Sequence, residues 1–267
     1  MNDTRGKILG TIFFFVLSLG ILYLTFFVVG KTNKGGIGMI EITGNNLLSE
    51  NDYISFSRLD DISRYEKLTL PVIKDRFEKH PYIERADVEL KDYNRAKVVL
   101  TEKKIMAVVL SGTEPFFISE NFQVLPLFAS TKFVDLPVIS NVAGGEKLKP
   151  LAEFKNNDML QAFRIIDAAR YTNVNINKKL SEINLRNGGD VLLSFSGVKA
   201  PVIFGRGEEA KKMVYLEIMW EGFIEGNNLL TEESDYIDLR FANEVYVGTA
   251  VTNGHPAGKA NSNTGLN

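Results

Sequence analysis

From Ile8 to Val29 the chain runs for twenty-two residues without a charge, and sixteen of them are Ile, Leu, Phe or Val. As a helix rising 1.5 Å per residue this run is about 33 Å long, enough for a hydrocarbon core of about 30 Å. At about −0.3 to −0.6 kcal/mol per central apolar residue, its insertion is favoured by about 5 to 10 kcal/mol. A cleavable signal has an apolar region of only about 7 to 15 residues, followed by small residues. Phe27, Val28, Val29, Gly30 and Lys31 follow here instead. The expectation is therefore a retained single transmembrane helix over residues 8–30, preceded by a cytoplasmic tail at 1–7, with the folded mass beyond it. Arg5 and Lys7 on one side face Lys31 and Lys34 on the other, so charge gives only a weak preference for the amino terminus inside.

The 31 Lys and Arg against 33 Asp and Glu leave a net charge of −2. No basic surplus exists to neutralise a phosphate backbone, which argues against nucleic acid as a main partner. The absence of Cys excludes disulfide scaffolds, thiolate zinc sites, iron–sulfur clusters and cysteine nucleophiles. His80 and His255 are the only histidines, too few for a multi-histidine metal site, and no cofactor or metal is expected.

Lys31 to Gly38 is a polar, glycine-rich linker. Ile40 and Ile42 then alternate with Glu41 and Thr43 as a strand, and Gly44-Asn45 supplies a turn. Ser49, Glu50 and Asp52 open a helix toward Leu59. A second helix carries Pro71 in its first turn and Leu70, Ile73 and Phe77 on one face, and Pro81 ends it. His80 is expected at that helix end with its imidazole near the last carbonyls. Ala86, Val88 and Leu90, then Ala96, Val98 and Leu100, alternate with polar residues as two strands around a turn.

This order of strand, helix, helix, strand, strand over residues 38–104 resembles a POTRA domain. The words IEITGNNLLSENDYI, FEKHPYIERADVEL and AKVVLTEK look like the POTRA domain of the bacterial division family FtsQ, also called DivIB. Pro81, Ile83, Ala86, Val88 and Glu102 satisfy that family's pattern.

Residues 105–248 read as strands with two helices inserted. Phe116 to Ser119 and Phe122 to Leu125 bracket Glu120-Asn121 as a hairpin, and Leu136 to Ser140 is extended. Asn156 to Arg170 carries Leu160, Phe163 and Ile165 or Ile166 at helical spacing. Strands follow at Leu180 to Arg186, Val191 to Phe195 and Pro201 to Phe204. A helix from Glu208 to Gly222 presents Met213, Leu216, Trp220 and Phe223 to the sheet, and Tyr236 to Gly248 is the last strand. FFISENFQVLPL, LPVIS, LRNGGDVLLSF, VIFGRGEEAKK and YIDLRF are similar to the β domain of the same family, with Asp238-Leu239-Arg240 and the aromatic Phe241 the most specific word. Asn141 in place of a frequent Gly, and Thr249 in place of Trp, depart from it. The fold class expected is α+β: the transmembrane helix, a POTRA domain (β-α-α-β-β), then a mixed-sheet β domain with packed helices. Residues 249–267, small and polar, are expected to be disordered.

No catalytic constellation emerges. Gly205-Arg206-Gly207-Glu208 lacks the Lys-Ser/Thr of a phosphate loop, no Gly-x-Ser-x-Gly occurs, and the paired carboxylates sit at element edges. The chain is expected to be no enzyme. The resemblance implies a single-pass protein of the bacterial inner membrane at the division septum, its bulk periplasmic, recruiting FtsB-like and FtsL-like single-pass coiled-coil proteins and other divisome proteins. The alternative is another POTRA-bearing membrane-assembly or secretion factor. The site expected is the last strand, where an extended partner segment pairs with a sheet edge: Tyr236, Phe241, Asn243, Val247 and Thr249. Two alternatives stay open there, Phe241 as contact or as core, and the edge as free or covered.

Overall fold

The computed structural model describes residues 3–31, 36–64, 68–92, 94–132, 134–172, 174–220, 235–241 and 243–248, with side chains of the first helix described over 10–25. The chain is α+β. It divides into two compact units, Met1–Asn45 with Glu50–Thr101 and Asn46–Ser49 with Glu102–Asn267.

The apolar run forms α1 (Asp3–Lys31). Ile12, Phe13, Phe14, Leu19 and Leu22 all stand exposed on it. Among the described residues, no helix is long and apolar enough to cross a membrane. This corrects two expectations, the transmembrane helix at 8–30 and the single-pass inner-membrane location drawn from it.

The first unit continues with β1 (Met39–Thr43), α2 (Glu50–Phe56), a 3-10 turn at Ile62–Arg64, α3 (Leu70–Glu78), β2 (Ile83–Asp92) and β3 (Arg95–Glu102). The sheet order is β1-β3-β2, with β1 parallel to β3 and Ile40 and Ile42 opposite Ala96 and Val98. Because side chains alternate across a strand, these four and Leu100 fall on one buried face. Ile73 and Phe77, one turn apart on α3, are fully buried, as is Tyr53 of α2. The other face is charged: Lys91 pairs with Glu41 at 3.0 Å and Lys97 with Glu89 at 3.2 Å. His80 departs from the sequence expectation. Its backbone N–H does donate to the Phe77 carbonyl at the helix end, yet its imidazole is buried among the rings of Tyr53, Phe56 and Tyr82, and its Nδ1 accepts the Tyr82 N–H at 3.1 Å.

The second unit holds β4 (Ile105–Ser111), β5 (Glu114–Ser119), β6 (Val124–Pro126), β7 (Val138–Ser140), α4 (Asn157–Thr172), α5 (Val174–Lys179), β8 (Leu180–Asn184), β9 (Leu192–Phe195), β10 (Val202–Ile203), α6 (Glu209–Met219), β11 (Tyr236–Asp238) and β12 (Tyr246–Gly248). They form one mixed sheet in the order β12-β11-β10-β9-β8-β7-β4-β5-β6. Ile139, Ile183, Leu193, Val202 and Ile237 share a core with Met159, Phe163 and Ile166 of α4 and Met213 and Leu216 of α6. Trp220 is buried in that core, edge-on to Phe195 at 5.2 Å. The six-residue α5 was not anticipated, and β10 is two residues rather than four. Phe223, expected on the core face of the last helix, lies outside the described residues, as does the tail at 249–267.

The turn after β1 needs a glycine. Gly44 sits at φ +83°, and a Cβ there would lie 2.2 Å from the Leu100 carbonyl oxygen. Gly44→Ala is expected to cost about 1–3 kcal/mol, a strained backbone plus a clash with fixed main chain. Gly112→Ala, at φ +61° with open space around it, is expected to cost about 1 kcal/mol. Equal urea midpoints for the two variants would contradict this account.

Candidate functional site

The residues expected to form one last strand form a hairpin instead. β11 and β12 run antiparallel, with Tyr236 opposite Gly248, Ile237 opposite Val247 and Asp238 opposite Tyr246. A thirteen-residue strand is long for a globular sheet, and the Asn243 inside it is a turn signal. Asn243 has φ +63°, the left-handed region that Asn tolerates.

The hydrogen bonds fix which way each backbone group points. Ile237 N–H donates to the Pro201 carbonyl at 3.0 Å and Leu239 N–H to the Ile203 carbonyl at 2.9 Å, so these residues face β10. Tyr236 and Asp238 therefore face β12, and their partners Gly248 and Tyr246 face back toward them. Val247 is left with its N–H and C=O directed away from the sheet, and among the described residues no strand lies beyond β12. The opposite edge is closed by the chain itself. Segment 151–154 runs along β6, with Val124 N–H donating to the Ala152 carbonyl at 2.9 Å and Leu151 N–H to the Val124 carbonyl at 2.7 Å.

A charge cluster braces the hairpin. The Arg240 guanidinium donates to Asp238 through Nε at 3.0 Å and Nη2 at 2.6 Å, and through Nη1 to Asp190 at 2.8 Å. Burial works to raise the Asp238 pKa, but the hydrogen bonds and charge of Arg240, with the charge of Lys212, outweigh it and hold the carboxyl below its ordinary range. The same contacts raise the Arg240 pKa. Gly205, at φ +66°, lets this arginine pass, because a Cβ there would lie 2.8 Å from Arg240 Cγ. The buried Lys212 ammonium donates to the Phe204 carbonyl at 2.9 Å and the Arg206 carbonyl at 3.3 Å. Burial lowers its pKa, against the opposing charges of Glu208, Glu209, Asp190 and Asp238. Arg206, within the glycine-rich stretch that lacks a phosphate loop's Lys-Ser/Thr, binds Asp158 at 2.7 Å and the Gly189 carbonyl at 2.8 Å. Asp158 in turn accepts the Ala143 N–H at 2.8 Å.

The five expected site residues are thus dispersed in role. Val247 supplies the outward backbone. Tyr236 lies inside the hairpin with its ring over Gly248, where a Cβ would approach Tyr236 Cζ to 2.2 Å. Phe241 is 51% exposed and packs edge-on against Tyr246 at 4.8 Å, which rules out its reading as core. Asn243 belongs to the turn and not to the ladder, and its Oδ1 accepts from Lys211 Nζ at 2.9 Å and Tyr215 Oη at 3.3 Å. Thr249 lies outside the described residues. Sequence reasoning missed Tyr246, whose hydroxyl donates to the Glu244 carboxylate, a contact that raises the hydroxyl's pKa. The alternation Glu244-Val245-Tyr246-Val247 was its only signal. Among the described residues, no three His, Asp or Glu side chains are grouped to hold a metal ion.

No family model matches the chain, and no curated protein matches it.

Asp238 gives the site a pH signature. A carboxyl whose folded pKa is depressed contributes stability that is present above its unfolded value, about 3.9, and is lost as pH falls through the folded value. The second unit should therefore lose stability below about pH 4, and Asp238→Asn should flatten that loss while lowering stability at pH 7. Denaturant titrations at pH 3 and pH 7 check this, and an unchanged pH slope in the variant would refute it.

Proposed function

We propose that the chain is a non-enzymatic scaffold of bacterial cell division, of the FtsQ/DivIB kind, which works by adding an extended segment of a partner protein to the β12 edge. The partners are small coiled-coil division proteins like FtsB and FtsL. The observation that carries this reading is the unequal treatment of the two sheet edges. Segment 151–154 occupies the β6 edge, while the Val247 N–H and C=O at the other edge face outward. An unpaired edge is a template for another strand, and natural sheets block such edges unless they are used. β12 carries no charged side chain and no proline, the usual blocking devices. Beside it, the exposed Phe241 and Tyr246 give an apolar contact for side chains of an added strand. The words quoted from residues 38–104 and 105–248 support the family, and the charge cluster, whose groups are bound to one another, supports a structural role for its carboxylates.

Val247→Pro tests the edge. It removes the outward N–H and leaves the β11 ladder intact, since proline is tolerated where a strand's N–H faces solvent. The variant should fold with a melting temperature close to the parent's and should no longer retain the two short coiled-coil proteins in affinity isolation from crosslinked dividing cells. A folded Val247→Pro protein that recovers them as well as the parent would place the site elsewhere.

A further inference from the structure

The β12 edge is a short element to carry a binding function. It has three residues, its described ladder is with β11 alone, and β11 itself has three residues beside a two-residue β10. Local structure of this kind, with few buried contacts, is drawn from the low-stability end of a protein and opens readily. A side-chain contact joins the hairpin turn to α6, beside the packing of Val245 against the core. The Asn243 carboxamide oxygen accepts from both Lys211 and Tyr215, which lie four residues apart on one face of α6. That helix is firmly seated. Lys212, Met213 and Leu216 are buried, and the Lys212 ammonium is bound to two main-chain carbonyls. Asn243 itself holds a left-handed backbone that most residues avoid. Lys211 also has an acidic neighbour in Glu208 at 3.9 Å and lies 5.7 Å from the Tyr215 ring centre, so α6 presents both donors from an ordered arrangement.

We infer that Asn243 is a positioning residue, a latch through which α6 holds β12 in its paired, strand-accepting form. The latch rests on the strand-addition reading, because it regulates the same edge. A partner's apparent affinity is reduced by the fraction of molecules in which the edge is unformed, so a side chain that touches no partner controls how tightly one is held. The chemistry required is a carbonyl-type oxygen on a residue that tolerates positive φ. Asn and Asp supply both, Gly supplies only the backbone, and Ala supplies neither.

The test needs no partner. Amide hydrogen exchange is followed in the full chain at Tyr246 and Gly248, whose N–H groups face β11, with β8 and β9 as internal reference. Asn243→Gly keeps the turn and removes the oxygen, and should speed exchange at Tyr246 and Gly248 on the order of tenfold while leaving β8 and β9 unchanged. Asn243→Asp, which keeps an acceptor for both donors, should match the parent. Lys211→Met with Tyr215→Phe should reproduce the glycine variant, and combining all three changes should add nothing further, as expected for one shared contact. Exchange within twofold of the parent in Asn243→Gly, additive effects in the combined variant, or acceleration shared by β8 and β9 would each overturn the latch. These outcomes are separate from that of Val247→Pro, which removes the edge's donor and leaves the latch intact.

Discussion

The ion pair between Asp238 and Arg240 is the interaction on which the carboxyl-terminal third of the sheet depends. β10, β11 and β12 have two, three and three residues, and ladders so short bring too few hydrogen bonds to offset the ordering of their backbones. Arg240 joins the end of β11 to Asp190 in the loop before β9, so that one side chain ties pieces of chain fifty residues apart. Lys212 acts more locally, binding the main chain on both sides of Gly205 from eight and six residues away. The glycine is required because the arginine stem occupies the space a side chain would take. Charge, a missing Cβ and a left-handed turn together hold what pairing alone would leave loose.

Much of the first unit was legible because its pattern has one meaning. Ala96, Val98 and Leu100 alternate with Lys97 and Thr101, and only a strand with one dry face and one wet face satisfies that spacing. Ile73 and Phe77 with Pro71 ahead of them define a helix for the same reason. The second unit was legible where elements are long, as at α4, and illegible where they are short. Two or three residues cannot display a period, so β10 was drawn too long and the hairpin after β11 was drawn as one strand. The Asp-Leu-Arg word sets an acid and a base two residues apart on one face, and in the structure Asp238 and Arg240 pair. Its second acid, Asp190, could not be foreseen because nothing local marks a contact across fifty residues. His80 failed differently. Its position before Pro81 predicts a helix end, which it is, but the fate of its ring depends on the three aromatic rings that surround it. The apolar run at the amino terminus does become helix, yet among the described residues no helix is long and apolar enough to cross a membrane.

Glu102 illustrates how a family-like residue acquires a physical reason. In the sequence, the strand ending in Glu carries meaning only through a resemblance. In the structure its carboxylate accepts the backbone N–H groups of Asn46 and Leu47 at 2.9 to 3.1 Å, satisfying donors that follow the Gly44 turn. A charged acceptor on main-chain N–H groups is among the stronger hydrogen bonds available to a protein, and Gln at that place would present only one oxygen where two are engaged.

The segment that closes the β6 edge has a consequence for assembly. In the vocabulary of polymer chemistry, a sheet with two reactive ends is a bifunctional monomer, and copies of it can join end to end without limit. Residues 151–154 cover the β6 end, and among the described residues no strand covers the β12 end. On the strand-addition reading proposed above, the backbone chemistry that builds fibrils would be confined to a single addition per chain, at β12.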